Sequence, residues 1–382
     1  MQIFVSAGEP SGDLHGSNLI RALQSCAPEV VCTGFGGSRM QAAECQLLFP
    51  LAAQPVMWFG DAIAHAVSFV RLLRQADEHF RDNRPDAVVL IDYPGFHWCL
   101  ARRAHRLGIP VFYFVPPQIW AWAGWRVRKM RRYVGHVLCT LPFEEQWYQA
   151  RGIDAHYVGH PYFDELKSKQ IDAEFISEQQ RQPGRIVAIL PGSRMQELQY
   201  NLSTQLRAAK ILHGTFPDLR FVVAAFNEAQ RAFVLESAQS QQIPLEAHTK
   251  QTAEIIQLAT ACMAVSGSVS LELLNGLVPS TVVYRVHRVG WLMSRCLKTS
   301  PWISLVNLLA NEELFPEYLS RTCPAERMAA DMASWLGEEG SGRQLREKLR
   351  RLREKVARPG ACHRAANYIL EHSRRSTAAK VA

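Results

Sequence analysis

Ile186-Val187-Ala188-Ile189-Leu190-Pro191-Gly192-Ser193-Arg194-Met195-Gln196-Glu197 decides the fold. It reads as strand, tight loop and helix. Five apolar, partly β-branched residues make a short buried strand. Pro191 and Gly192 end it and turn the chain sharply. Ser193 is placed to cap the following helix, and Glu197 falls in its first turns, where negative charge suits the dipole. Such a helix opens with unpaired N–H groups and a partial positive charge, which together make an anion site. Arg194 adds a planar fork able to hold a phosphate through two hydrogen bonds. An ordinary β–α turn with a surface arginine has the same local sequence, so its neighbours must decide between the two.

Upstream, strands and helices alternate. Strands are predicted at Ile3–Ser6, Val30–Thr33, Ala87–Ile91, Val111–Val115 and Val137–Thr140. Helices are predicted from the Gly-rich loop to about Gln24, from Val56 to about Phe80, and at His97–Leu107 and Arg126–Tyr133. Residues 167–184 lose the pattern, are rich in Gln, Lys, Glu and Ser, and read as a linker. A second series follows, with strands at Ile186–Leu190, Phe221–Ala225, Pro244–Glu246, Cys262–Val265 and Thr281–Val283. From about Ala325 the chain reads as helical to its end. The expected class is α/β, with two Rossmann-like domains, mostly parallel sheets and a helical C-terminus. The expected domains are 1–166, the linker 167–184, 185–350, and a C-terminal helix and tail, 351–382, packing back on the first domain. Ligand is then expected in a cleft between the carboxyl ends of the two sheets.

A chain of 382 residues exceeds one ordinary core, which suits two domains. With 48% hydrophobic and 20% charged residues it is globular, not disordered. A net charge of +8 and a pI near 9.1 suit an anionic partner: nucleotide, phosphorylated substrate, anionic membrane surface or nucleic acid. The nine cysteines are scattered without a C-x-x-C pair, which reads as reduced thiols in a reducing compartment. The chain enters a strand at Ile3 with no basic stretch before it, so no signal peptide is expected. No apolar run is long enough to span a bilayer. A cytoplasmic or peripheral protein is expected.

The candidate chemical groups lie just after strands. Val265-Ser266-Gly267-Ser268-Val269-Ser270-Leu271-Glu272 is a second strand–Gly–helix turn. Its amides and hydroxyls suit a diphosphate, and Glu272, one helical turn on, suits a ribose diol. Neither turn is a dinucleotide or P-loop fingerprint. No Asp-x-Asp and no metal-type His/Cys spacing occurs, so helix ends and Arg194 must neutralise the diphosphate, and no metal or other cofactor is expected. In the first half, Glu9, Ser11, Asp13 and His15 are candidate substrate contacts, with Ser11 or Asp13 as helix cap the plainer alternative. Asp92, at a strand end before Tyr93-Pro94, is placed as a general base, with His15 competing for that role. Pro116 to Trp125 carries three Trp in six residues and precedes the basic Arg126, Arg128, Lys129, Arg131 and Arg132. That pairing suits a lipid headgroup layer or single-stranded nucleic acid. The nucleic-acid reading leaves both phosphate turns without a role. The apolar Val56–Leu73 helix is core by default, with partial membrane insertion as the alternative.

The chain resembles the lipid A disaccharide synthase family, glycosyltransferases of the GT-B fold. The likeness covers nearly the whole sequence. It is carried by Ser6-Ala7-Gly8-Glu9-Pro10-Ser11-Gly12-Asp13, Ile91-Asp92-Tyr93-Pro94, Pro117-Gln118-Ile119-Trp120-Ala121-Trp122 and Leu141-Pro142-Phe143-Glu144. Val158-Gly159-His160-Pro161, Pro191-Gly192-Ser193-Arg194, Ser266-Gly267-Ser268 and Ser304-Leu305-Val306-Asn307-Leu308-Leu309 complete it. The resemblance implies an inverting transfer from UDP-2,3-diacylglucosamine to 2,3-diacylglucosamine 1-phosphate (lipid X), giving the β-1,6 disaccharide 1-phosphate and UDP. It implies peripheral attachment to the inner face of the inner membrane, no nucleic-acid partner, and it leaves a homodimer open. Matched by position, Gly192, Ser193, Arg194, Ser266, Gly267, Ser268 and Glu272 are the UDP site, with Asn307 near the donor. Glu9, Ser11 and Asp13 fall on the acceptor side, with Asp92 and His15 as the catalytic candidates. The family commonly has Asp-x-Pro-Asp-Phe-Asn where this chain has Asp92-Tyr93-Pro94-Gly95-Phe96-His97. It has Thr where Ser268 stands and Pro where Val306 stands. A UDP-sugar 2-epimerase and a non-catalytic nucleotide-sugar or lipid-binding protein are the alternatives.

Overall fold

A computed structural model describes residues 1–53, 62–121, 124–265, 267–285, 301–320, 323–337 and 340–381. Its strands are β1 Gln2–Ala7, β2 Val31–Phe35, β3 Gln46–Phe49, β4 Ala87–Ile91, β5 Val111–Phe114, β6 His136–Cys139 and β7 Ala155–Tyr157. Then come β8 Arg185–Leu190, β9 Leu219–Ala225, β10 Leu245–Thr249, β11 Ala259–Val265, β12 Ser280–Arg285 and β13 Glu317–Ser320. The helices of the first half are α1 Pro10–Cys26, α2 Ser38–Ala42, α3 Ala62–Asp82, α4 Pro94–Arg106, α5 Val127–Tyr133, α6 Pro142–Gln149 and α7 Tyr162–Ser168. The remainder are α8 Ala173–Arg181, α9 Met195–Thr215, α10 Glu228–Ser240, α11 Thr252–Leu258, α12 Val269–Asn275, α13 Leu305–Ala310, α14 Ala325–Leu336, α15 Ser341–Val356 and α16 Ala361–Val381.

The strands form two all-parallel sheets, one ordered β3-β2-β1-β4-β5-β6-β7 and the other β10-β9-β8-β11-β12-β13. Strands buried on both faces must be apolar throughout, and Ala87-Val88-Val89-Leu90-Ile91 is buried at every position. Each order reverses once, between β1 and β4 and between β8 and β11. At a reversal the connecting helices leave on opposite faces, so the loops diverge and open a crevice at the strand ends. The loops after β1 and β4 hold Glu9 and Asp92, and those after β8 and β11 hold Arg194 and Gly267.

The chain divides into one unit of Met1–Lys167 with Arg358–Ala382, and another of Ser168–Ala357. Helix α16 belongs to the first unit because its Ala361, Cys362, Ala365, Ala366 and Ile369 join the core under β1 and α1. Small residues let the two helices approach closely. Asp164 anchors its start, accepting from the amides of Gly360, Ala361 and Cys362. Arg364 ties it to the carbonyls of Val158, Arg358 and Pro359.

The stretch read as a linker, 167–184, is largely helical. Asp172 caps α8 by accepting from the amides of Glu174 and Phe175, and its own amide donates to Glu254. Phe175 and Gln179 are buried against the second unit, which a mostly polar sequence did not reveal. The short strands β3, β7 and β13, absent from the sequence reading, are each an edge strand of their sheet. Of the apolar Val56–Leu73 stretch, residues 56–61 lie outside the described residues. Leu72 and Leu73 are core, and Phe69 packs edge-on to Phe96 at 4.7 Å. Val67 and Val70 remain exposed, at 65% and 48%. Among the described residues no helix is long and apolar enough to cross a membrane. All the described cysteines are free, five of them buried.

Candidate functional site

Asp92 sits where β4 ends, on a sharp elbow. Asp92 and Tyr93 are consecutive non-glycine residues in the left-handed region, with φ 49° and 48°, and Val115 after β5 has φ 53°. Such conformations cost on the order of 1–3 kcal/mol each and persist only where the surroundings impose them. Here the Asp92 carbonyl accepts from the Tyr113 hydroxyl and from His97 Nδ1, each at 2.6 Å. The Asp92 amide donates to Val115 O at 3.3 Å. The Tyr93 ring lies over Gly8, where a Cβ would fall 2.2 Å from the ring, so only glycine fits the β1 loop there. Burial, reinforced by the Glu9 charge, raises the Asp92 carboxyl to about 6, against the opposing pull of the Tyr93 amide. The structure thus brings Glu9 and Asp92 together from the two loops of the switch point.

The other first-unit candidates divide. Ser11 is exposed in the first turn of α1. Asp13 is not available to a substrate. Its Oδ1 accepts from the amides of Gly37 and Met40 at 2.7 and 3.1 Å, and its Oδ2 from Arg39 N at 3.1 Å. It caps α2 and holds the loop after β2; a Cβ on Gly37 would strike it at 2.6 Å. His15 is 5% exposed, with its ring edge-on to His160 at 6.0 Å. Burial lowers it to about 4 despite the Asp164 charge, so it is neutral and a weak base. Asp92 is the stronger of the two candidate bases.

In the second unit the Pro191–Arg194 turn is made as expected, with Gly192 at φ 105°. The cap differs: Arg194 occupies the N-cap of α9 and no side chain caps it. Ser193 instead offers its carbonyl to Gln230 Nε2 at 2.9 Å, and Gln230 Oε1 accepts from Phe226 N. Gln230, which sequence reading passed over, is 1% exposed and braces the loops after β8 and β9 together. The Arg194 side chain is 60% exposed and lies 3.6 Å from Glu197. Gly267 and Ser268 are exposed, and Ser266 lies outside the described residues. Glu272 is 8% exposed, with Lys169 Nζ 3.5 Å from its Oε2.

Asn307 is a correction. It is fully buried and spends its whole side chain inside the protein. Its Nδ2 donates to Phe315 O and Glu317 Oε1, and its Oδ1 accepts from the amides of Leu314 and Phe315. An amide with two donors and two lone pairs has then nothing left for a nucleotide. Glu317 completes the arrangement by accepting from the amides of Ile303 and Ser304.

Two motifs without an assigned role hold each other. Buried Glu144 accepts from Trp120 Nε1 at 2.9 Å and from the amides of Thr140 and Leu141 at 3.0 Å. Trp120 packs edge-on to Phe143, and the Tyr148 hydroxyl donates to Pro117 O. The tryptophan loop is thus pinned by the Leu141–Glu144 helix start. Trp122 lies outside the described residues, and Trp125 is 62% exposed with Arg126 over its ring.

The fold is shared with nucleotide-sugar enzymes. UDP-GlcNAc 2-epimerase from Neisseria meningitidis bound to UDP-GlcNAc aligns with TM-score 0.63 and 11% identity, over 98% of this chain and 100% of that one. Medicago truncatula UGT71G1 complexed with UDP-glucose aligns with TM-score 0.61 and 13% identity, over 97% and 98%. By sequence, the lipid-A-disaccharide synthase of Anaeromyxobacter sp. (strain K) is 34% identical over 371 residues, 97% of each chain. The model of the lipid-A-disaccharide synthetase family matches residues 3–371, and this chain belongs to that family.

Proposed function

We propose that the protein condenses UDP-2,3-diacylglucosamine with 2,3-diacylglucosamine 1-phosphate, releasing UDP. The acceptor's 6-hydroxyl oxygen attacks C1 of the donor sugar from the face opposite the diphosphate. The O6–C1 bond forms as the bond from C1 to the diphosphate oxygen breaks, so the anomeric configuration inverts. The hydroxyl proton passes to the Asp92 carboxylate, and UDP leaves with the bonding pair. The elbow is the observation that carries this reading. A carboxylate raised to about 6 is basic enough to take a proton and still ionised at neutral pH.

On the donor side, the open N-terminus of α9 and Arg194 suit the leaving diphosphate, and Glu272 suits the ribose diol. Glu9, one turn ahead of buried Asp13 and in the loop after β1, suits an acceptor hydroxyl. Attachment at the inner face of the inner membrane is supported by Val67 and Val70, exposed on the same stripe of α3 as Arg71 and Arg74. Exposed Arg128, Lys129, Arg131 and Arg132 on α5 add positive charge.

Purified protein incubated with UDP-diacylglucosamine and lipid X should yield UDP and the disaccharide 1-phosphate. Epimerised UDP-sugar without disaccharide would replace this reading with the 2-epimerase. Binding without turnover would replace it with a non-catalytic carrier.

A further inference from the structure

We propose that His97 is a positioning residue for Asp92: a neutral imidazole strut that spans the ends of β1 and β4 and fixes the Asp92–Tyr93 peptide. The inference rests on the reading of Asp92 as the base. His97 is fully buried in the first turn of α4. Its Nδ1 lies 2.6 Å from Asp92 O, and a carbonyl can only accept, so Nδ1 carries the proton. The bare Nε2 then accepts from the Ser6 hydroxyl, 2.9 Å away at the end of β1. Both nitrogens are used and the tautomer is fixed by its partners.

Burial holds the ring at about 4, against the pull of the Asp92 carbonyl. It therefore neither charges nor relays protons near neutrality. Its consequence is geometric. The left-handed pair at 92 and 93 would relax if the carbonyl of Asp92 were released, and rotation of that peptide swings the carboxylate. Tyr113 supplies a second donor to the same oxygen. Where the family commonly has Asn, His97 places a donor at Asp92 O and ties it to Ser6 of β1.

Two substitutions separate the ends of the strut. The side-chain nitrogen of Asn falls where Nδ1 is, and that of Gln falls where Nε2 is. His97→Asn should therefore keep the bond to Asp92 O and retain most of kcat. His97→Gln should keep only the Ser6 end and lower kcat roughly 10–100-fold, as a misplacement of about 1 Å does, with UDP affinity unchanged. Tyr113→Phe should lower kcat in the same direction. Melting temperature is followed for each variant. Equal losses in His97→Asn and His97→Gln, or losses that follow melting temperature, would overturn the strut. If His97→Gln does not fold, the other two decide: His97→Asn at near wild-type kcat with Tyr113→Phe reduced supports it, and the reverse order overturns it. Asp92→Asn is the control for the underlying reading. Wild-type turnover there removes Asp92 as base, whereas loss there with His97→Gln fully active removes the strut alone.

Discussion

The first unit's switch point is closed and held by its own hydrogen bonds, and the second unit's is open. Around Asp92 three left-handed residues, two donors on one carbonyl and a ring laid over Gly8 fix the backbone before any ligand arrives. Around the same point in the second unit Ser193, Arg194, Gly267 and Ser268 are exposed, no side chain caps α9, and Gln230 braces the loop. The contrast follows from the chemistry proposed for each. A base must be aimed to within a fraction of an ångström and gains from rigidity. A diphosphate brings its own charge and acceptors, so amides and an arginine can stay solvated until it comes.

The sharpest way to break this comparison is Asp92→Asn. It should lower kcat by ~10²–10⁴ while UDP affinity and melting temperature hold, since general-base loss costs about that much. Equal loss of UDP affinity would mean that Asp92 is not confined to the acceptor side. On the open side, Arg194→Ala and Glu272→Gln should each weaken UDP binding about tenfold or more, read by titration calorimetry, because each charge-assisted hydrogen bond contributes roughly 1.5–3 kcal/mol. A collapse of kcat with UDP affinity intact would reverse the roles of the two regions.

Acid should act on the closed region. The proposed base Asp92 can take a proton only when ionised, so kcat should fall as pH drops through about 6. Glu9 raises that carboxyl, so Glu9→Gln should move the acid limb to lower pH. The move should be partial, since burial is the larger cause. A limb that stays in place would dissociate Glu9 from Asp92. The smallest effect lies outside both regions. Val67→Ser with Val70→Ser should shift protein from anionic vesicles to the supernatant and leave melting temperature nearly unchanged, because both side chains are exposed. Unchanged pelleting would remove this stripe from the membrane contact.

Sequence periodicity carried the fold well where strands are buried on both faces. It placed β4 to the residue and β8 and β11 within a few residues. It missed β3, β7 and β13, which are short and lie toward the sheet edges. The site was legible as loops but not always as roles. Asp92 and Glu9 are candidates because they follow strands, and both fall in the loops of the strand-order reversal; their roles are those proposed above. Asp13 and Asn307 were misread for one reason: the groups that bind a substrate hydroxyl also bind a backbone amide. The amides that occupy Asp13 lie at Gly37 and beyond, and nothing in the local sequence reveals them. His97 stands where the family commonly has asparagine; the geometry shows it donating to the Asp92 carbonyl, a contact that local sequence does not reveal.

The return of α16 to the first unit also governs synthesis. Residues 361–370 supply part of that unit's core, yet residues 168–357 are translated in between. At ordinary rates that interval is roughly ten to forty seconds. The amino-terminal unit is therefore begun first and finished last, its β1–α1 surface uncovered while the later unit, contiguous in sequence, completes itself. A chain ending at Ala357 and released from the ribosome should show the 168–357 unit resisting protease and the amino-terminal unit still being cut. Equal resistance of both would mean that the final helix seals a core already formed.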